Sequence, residues 1–395
     1  MNETGPRLPH SLKAAMALGL VLRLIPALTT VGTQDVLTWL SFRDSIVNSG
    51  LIGTYSSMPH FNHPPLVGLY LYFTNGLSGL IPFAFAIRLP AILADTGTAF
   101  LVYRLLKRYT DTRNALWSAV LVSLSPFLIP ISGFHGNTDP VFVFLIVLAA
   151  YCLAVFKRPL TAGLVMGLAL NVKIAPVLAL PVFFFWIRDW RERLFFCGAV
   201  SAVVLTGYGP VVLAAPEETV GNIFYYGSFA GFWGVSLIGK WLGFWSQQMT
   251  LTFRWGTLAV TVISALFMVR GRGNARRPEI NLLASLGWVF VIFLVLTPGF
   301  GPQYLAWLTL MVFCGAAGFA AFSVLSGIYV IALYTYWCGG FPWYYADPTR
   351  QHPALYVLSL APWAFLLIRL CVSLCSREVV RRQAQRGWPA DGLSD

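Results

Sequence analysis

The sequence predicts an all-α polytopic membrane protein, and three observations carry that expectation. The 395-residue chain is 57% hydrophobic and only 11% charged, where a soluble protein would carry roughly a quarter charged residues. Its mean hydropathy is +0.70, and apolar windows of about 20 residues, the length that crosses a bilayer as a helix, recur along it. Those windows are continuous rather than alternating, which excludes a transmembrane β-barrel. The first apolar run, AAMALGLVLRLIPAL, has no convincing cleavage site before a polar mature region and reads as a first transmembrane helix. The six cysteines, 152, 197, 314, 338, 371 and 375, lie mostly within apolar runs without metal-ligand spacing and read as small buried hydrophobes.

The net charge of +12 does not signal nucleic acid. Basic residues gather in short loops: Lys107, Arg108 and Arg113; Lys157 and Arg158; Arg188, Arg191 and Arg193; Arg270, Arg272, Arg276 and Arg277. With Arg7, Lys13 and the basic end of the chain they mark the cytoplasmic side. Threading the chain between them gives roughly twelve crossings with both ends inside. Helices are expected at about 12–30, 86–106, 115–131, 138–156, 194–213, 255–269, 280–296 and 354–372, with a hairpin over 303–337. The stretch 160–187 must begin and end inside and is too short for two full spans, so two short helices are expected to meet near Lys173. Parity also requires that 65–83 does not cross. It is read as a juxtamembrane or re-entrant helix on the outer face, covered by protein. Residues 31–64 and 214–254 are expected as polar outer segments. Residues 1–375 form the membrane domain, and 376–395 form a short basic cytoplasmic tail that could touch anionic lipid.

On this map His60, His63, His135, His352, Asp35, Asp44 and Asp139 fall on the outer side, opposite the arginine clusters. The turn GFHGNTDP, residues 133–140, is the densest case. Its glycines permit close backbone approach, and Asp139 can cap the helix that Pro140 opens. Asp44 next to Arg43 reads as a local ion pair. Asp95, inside an apolar helix, needs a partner, and Arg88 is one candidate. Arg23 is a cation within the first helix with the same need. Lys173 can snorkel or meet a phosphate near the outer leaflet. In TPGFGPQYLAW the glycines and prolines break the helix and leave Gln303 and Tyr304 at a membrane-depth opening.

These residues together resemble a known family. An Asp follows helix one (Asp35), NHPPL spans Asn62 to Leu66, and RLP spans Arg88 to Pro90. An acidic outer turn, GNTDP, comes next. NVKIAP then spans Asn171 to Pro176, and GFGPQYLAW spans Gly299 to Trp307. This order resembles the GT-C superfamily of integral-membrane glycosyltransferases, and within it the polyprenyl-phosphate-mannose-dependent mannosyltransferases. The resemblance implies that Asp35 is the general base on an acceptor hydroxyl. It implies that the leaving polyprenyl phosphate is met by Lys173 first, then His63, with Gln303 and Tyr304 helping and His135 and Asp139 lining the second outer loop. Arg23, Arg88 and Asp95 are held as structural or site residues. No cofactor is required and no metal site is assigned, although Asp35 with Asp139 could hold a divalent cation. The expected partners are a polyprenyl-phosphate sugar donor, a lipid-linked or glycolipid acceptor and membrane lipids. Many relatives have a large soluble C-terminal domain that the short tail here does not supply, which favours a glycolipid acceptor. A bacterial plasma membrane with the site facing outward is the expected location. The rival reading is a transporter or flippase of lipid-linked sugars, against which stand the missing inverted repeat and the gathering of polar groups on one face.

Overall fold

The computed structural model describes the backbone over residues 8–270 and 278–385 and side chains to 269 and 375. The elements run α1 (His10–Thr29), β1 (Gly32–Thr33), α2 (Gln34–Ser57), α3 (Pro65–Gly76), α4 (Phe83–Tyr109), α5 (Thr112–Ser123) and α6 (Leu128–Pro130). A π-helical turn, Ile131–His135, precedes α7 (Asp139–Ala154) and α8 (Pro159–Val172). After a 3₁₀ turn, Ala175–Ala179, come α9 (Leu180–Trp186), α10 (Trp190–Ala214), α11 (Pro216–Phe224), α12 (Gly234–Trp241), α13 (Gln247–Arg270) and α14 (Pro278–Leu296). The 3₁₀ segment Pro302–Cys314, α15 (Ala316–Cys338), β2 (Tyr345–Ala346) and α16 (Pro353–Gln385) complete the chain.

The chain is an integral multi-pass membrane protein by its helices. Among the described residues seven are long and apolar enough to cross a bilayer, eight if the bent pair 112–123 and 128–135 is one span. These account for seven or eight of the roughly twelve expected crossings. The other apolar segments, 139–154, 159–172, 175–186 and 302–314, are short. At 1.5 Å per residue a 16-residue helix reaches only about 24 Å, less than the hydrocarbon thickness. The two short helices of 160–187 do break at Lys173, whose extended backbone (φ −157°, ψ 153°) ends α8.

Two segments taken as loops are helical. Residues 34–57 form α2, bent where Gly50 adopts φ +74°. Its buried face, Val36, Trp39, Phe42 and Ile46, has helical spacing but too few apolar residues to show as a span. Residues 216–224 and 234–241 are also helical. The boundary at 375/376 falls inside α16, which continues to Gln385. The side chains of the basic tail, and Arg7, Arg272, Arg276 and Arg277, lie outside the described residues. The cysteines are free thiols, but Cys152 alone is buried; Cys371 and Cys375 are exposed.

The helices pack as small residues allow. Gly163 and Gly167 of α8 sit so close to α10 that an added Cβ would lie 2.4 Å from Phe196 O and 2.6 Å from Val203, the close approach that small residues permit in membranes. Outward faces of α1, α10 and α13 carry Ile25, Leu205 and Phe267. The bundle has two distinct ends. At one, Lys157 bonds Glu279 at 2.8 Å and Trp186 Nε1 donates to Pro278 O. At the other, β1 pairs in parallel with β2, Gly32 opposite Tyr345 and Thr33 opposite Ala346. Arg88, near the start of α4, donates to Pro26, Ala27, Thr30 and Val31 carbonyls at the end of α1. The chain thus leaves α1 and enters α4 at the same end, and α4 runs about 40 Å toward the basic end.

Candidate active site

A cavity of about 980 Å³ opens at the end where β1 meets β2. His60, His63, His135 and His352 all line it, with Asp35, Asn137, Lys173, Gln303 and Tyr304. Of the seven polar residues that the sequence placed on one side, these four histidines and Asp35 line the cavity, and Asp44 and Asp139 do not.

Asp35 lies in the first turn of α2, where Thr33 Oγ1 accepts its backbone N–H at 3.3 Å. His135 ends the π-helical turn, and Thr33 Oγ1 in turn donates to His135 O at 2.8 Å. Trp39 Nε1 donates to Gly136 O, and Gly136 takes φ +81°, where an L side chain would be strained. These bonds tie the turn 133–140 to the start of α2. His135 Nε2 reaches Asp35 Oδ2 at 3.0 Å, and Asn137 Nδ2 donates to the same oxygen at 3.5 Å. A carboxylate only accepts, so Nε2 carries the proton. In the neutral imidazole, Nδ1 then accepts from the Tyr334 hydroxyl at 2.6 Å. Both bonds fall on Oδ2, which leaves Oδ1 without a protein partner among the described residues. The Asp35 side chain is 41% exposed, on the cavity. Burial opposes its ionisation, but His135, Asn137 and Lys173 outweigh burial and hold the carboxyl below its usual range.

Asp139 does something other than cap. It is the first residue of α7, and the position before it, Thr138, makes no side-chain cap. Its fully buried carboxylate accepts from Lys173 Nζ at 2.7 Å and, on the other oxygen, from Trp307 Nε1. The Lys173 ammonium also lies 5.3 Å from the Tyr304 ring centre and 5.9 Å from that of Trp307. Lys173 is freed to reach this pair because α8 ends at Val172, where Asn171 Nδ2 bonds Gly167 O and Val203 O. Both oxygens of Asp139 therefore have protein donors, and Asp139 does not line the cavity with Asp35. No group of three or more His, Cys, Asp or Glu suited to a metal occurs among the described residues.

His63 packs on Trp39 with ring centres 4.1 Å apart. Burial, helped by Lys173, lowers its pKa to about 3, so the ring is neutral at neutral pH. Arg23, Asp95 and Arg88 lie away from the cavity lining. The partner of Asp95 is Arg23, at 3.1 Å, and not Arg88; Arg23 Nε also donates to Ser132 Oγ. Arg43 and Asp44 form the local pair at 2.7 Å.

Several lining residues were not singled out from the sequence, Tyr226, Arg254, Trp307 and Arg350, and neither was Tyr334, which bonds His135 from outside the lining. Burial pushes the Tyr226 hydroxyl up to about 12, so it stays a donor. Arg254 and Arg350 sit in segments taken for loop, and no sequence signal separates them from other arginines. Trp307 was inside a quoted motif, but its indole gains meaning only beside Asp139.

Residues 62–213 match the family model for dolichyl-phosphate-mannose-protein mannosyltransferase. Over that interval, which holds His63, His135, Asp139 and Lys173, the chain is similar to the glycosyltransferases that its motif order resembles. The match does not reach Asp35, Gln303 or Tyr304. A comparison with curated proteins gives no match. Among solved structures, an oligosaccharyltransferase from Archaeoglobus fulgidus is similar at 14% identity and TM-score 0.44, covering 91% of this chain and 53% of that one. A mycobacterial arabinofuranosyltransferase, AftD, is similar at 15% identity and TM-score 0.44, covering 92% and 26%. The chain thus spans about half and about a quarter of their lengths.

Proposed function

We propose that the chain is an inverting glycosyltransferase that moves a sugar, mannose first among candidates, from a polyprenyl-phosphate carrier to a lipid-linked acceptor on the outer face of a membrane. The observation that carries this reading is the half-open Asp35 carboxylate. One oxygen is fixed by His135 and Asn137, and the other is left without a protein partner among the described residues, beside a cavity of about 980 Å³. Asp35 Oδ1 takes the proton of the acceptor hydroxyl as that oxygen attacks the anomeric carbon. The bond from that carbon to the phosphate oxygen breaks, and polyprenyl phosphate leaves with the electron pair. Lys173 donates to the leaving phosphate through hydrogens not used by Asp139. A phosphate bound beside Lys173 offsets that cation and raises the Asp35 pKa toward the working pH, which makes a resting carboxylate of low basicity a better base when the donor is present. The bacterial plasma membrane, with the cavity end outward and the Lys157–Glu279 end inward, suits the basic-loop distribution.

The test is incubation of the purified protein with synthetic polyprenyl-phosphate mannose, glucose and arabinose plus a membrane lipid extract. Release of polyprenyl phosphate together with a new glycolipid, lost in Asp35→Asn, is the expected result. Turnover that survives in Asp35→Asn removes the base assignment. Absence of turnover with liposomal flux of a lipid-linked sugar makes the chain a transporter instead.

A further inference from the structure

The segment between α11 and α12 forms part of the cavity wall, and it is clamped there from two sides. Tyr226, Gly227, Ser228, Phe229 and Phe232 all line the cavity. On one side Arg254 of α13 donates to the carbonyls of Tyr225 and Tyr226. Its guanidinium takes the space of a missing side chain, since a Cβ added to Gly227 would stand 2.8 Å from Nη2. On the other side Ala230 bridges Gly299, and the Phe300 N–H donates to Phe229 O at 3.2 Å. A Cβ added to Gly299 would stand 2.9 Å from Ser228 O, so a glycine of the GFGPQY motif admits the backbone of this segment. Ser236 Oγ accepts from the Gly231 N–H at 2.9 Å and lies 2.7 Å from Pro298 O.

Tyr226 sits between the two clamps. Its side chain is half exposed, on the cavity, and its hydroxyl has no protein hydrogen-bond partner among the described residues. The neighbouring donors are more committed: Lys173 bonds Asp139, and the Tyr304 hydroxyl bonds the Ser228 side chain. Tyr226 is close enough to Tyr304, Lys173, Asp35 and Asp139 to feel each of them. It therefore belongs to the space between the base and the phosphate cation, where the bond from sugar to phosphate must break. A phosphodiester donor carries one negative charge, and the released monoester approaches two as the electron pair arrives on its leaving oxygen. A neutral donor held rigidly beside that oxygen gains most once the charge has developed, and so acts on the transition state more than on the bound donor.

We infer that Tyr226 is a further catalytic residue, donating a hydrogen bond to the leaving oxygen of the polyprenyl phosphate, and that Arg254 is the positioning residue that holds it there. This rests on the glycosyltransferase reading above and adds a residue to its leaving-group side. Tyr226 keeps its proton throughout, and the electron pair of the broken bond stays on the phosphate. The experiment uses the full chain in nanodiscs with polyprenyl-phosphate mannose and a membrane lipid extract. Tyr226→Phe should lower kcat by about ten- to a hundredfold, the range of a hydrogen bond to a charged group, with the donor KM changed by less than about twofold. Inhibition by added polyprenyl phosphate should weaken by about tenfold in the same variant, because the free monoester carries the developed charge. Arg254→Gln should show the same losses, and the double variant should lose about as much as either single one, since both act through one hydroxyl. An unchanged kcat or unchanged inhibition in Tyr226→Phe overturns the inference. Losses that multiply in the double variant put Arg254 on the substrate itself and overturn its positioning role. Where no sugar is transferred and the transferase reading has failed, binding of polyprenyl phosphate by native mass spectrometry decides the case. Binding weakened in Tyr226→Phe supports the site; equal binding, or none to wild type, overturns it.

Discussion

Two acid–base contacts of nearly the same length sit at opposite ends of a physical scale. Arg23–Asp95 spans 3.1 Å and both side chains are sealed, at 2% and 4% exposure. His135–Asp35 spans 3.0 Å, but the aspartate is 41% exposed to a cavity. In the first, every neighbour is protein. Arg23 joins α1, α4 and the π-helical turn through Asp95, Ser132 and the carbonyls of Gly19 and Ser123. A charge enclosed on all sides has nothing left to offer a substrate, and it holds helices together. In the second, one carboxylate oxygen is fixed and the other is left for chemistry. The Lys173–Asp139 pair lies between them, with a sealed acid and a cation that reaches the cavity. What separates structure from chemistry in these pairs is the open face and not the bond length.

The sharpest way to break that comparison is to substitute each acid. Asp35→Asn should lower turnover by about 10²- to 10⁴-fold, the worth of a general base, with little change in thermal unfolding in detergent. Asp95→Leu should do the opposite. It strands Arg23 and costs about 3–5 kcal/mol of stability, while activity per folded molecule persists. Pairing it with Arg23→Met should recover much of the loss, because both charges are then gone. If Asp95→Leu abolishes turnover in protein that stays folded, the division between sealed and open pairs is wrong.

Asp139→Asn tests the intermediate case. Lys173 loses its counter-charge but still reaches cavity water, so the expected destabilisation is smaller, about 1–3 kcal/mol by denaturant or heat. The freed cation should lower the donor KM in the same variant; an unchanged KM would place the donor phosphate elsewhere.

The pH dependence sharpens the role of His63. Its folded pKa, about 3, lies below the usual 6.5, so the unfolded chain binds the proton more readily. Stability is therefore lost as pH falls through 6.5 toward 3, and His63→Gln should lose less across that window. The same variant should leave the shape of the kcat/KM profile between about pH 7 and 5 unchanged, since the ring is already neutral there. Asp35 works as the carboxylate and its pKa is depressed, so its own acid limb should lie below the usual carboxylate value of about 3.9. The smallest effect is expected for Tyr334→Phe, a loss of a few-fold in kcat. It removes the hydrogen bond that orients His135 but leaves the His135–Asp35 contact in place.

The broad fold was legible because hydropathy is a property of local windows. Composition alone set the membrane class. The helix break at Lys173 followed from two basic ends too close together for two spans, and the gathering of His60, His63, His135 and His352 on one side followed from counting crossings. Helix α2 was hidden because a surface-lying helix with one buried face has no long apolar run. The shortness of four of the apolar helices was not legible, because a hydropathy window does not register how short helices pack.

Partner choice was decided only in three dimensions. Asp35, Asp95 and Asp139 look alike in sequence, each an acid near apolar helices. Asp95 lies 72 positions from Arg23, Asp35 lies 100 from His135, and Asp139 lies 34 from Lys173 and 168 from Trp307. No local pattern encodes such pairings. The sequence determined that the chain spans a membrane and where its polar residues gather. Only the packing of helices decided which acid is sealed and which stays open, because the energy of a charge depends on what surrounds it and not on what adjoins it along the chain.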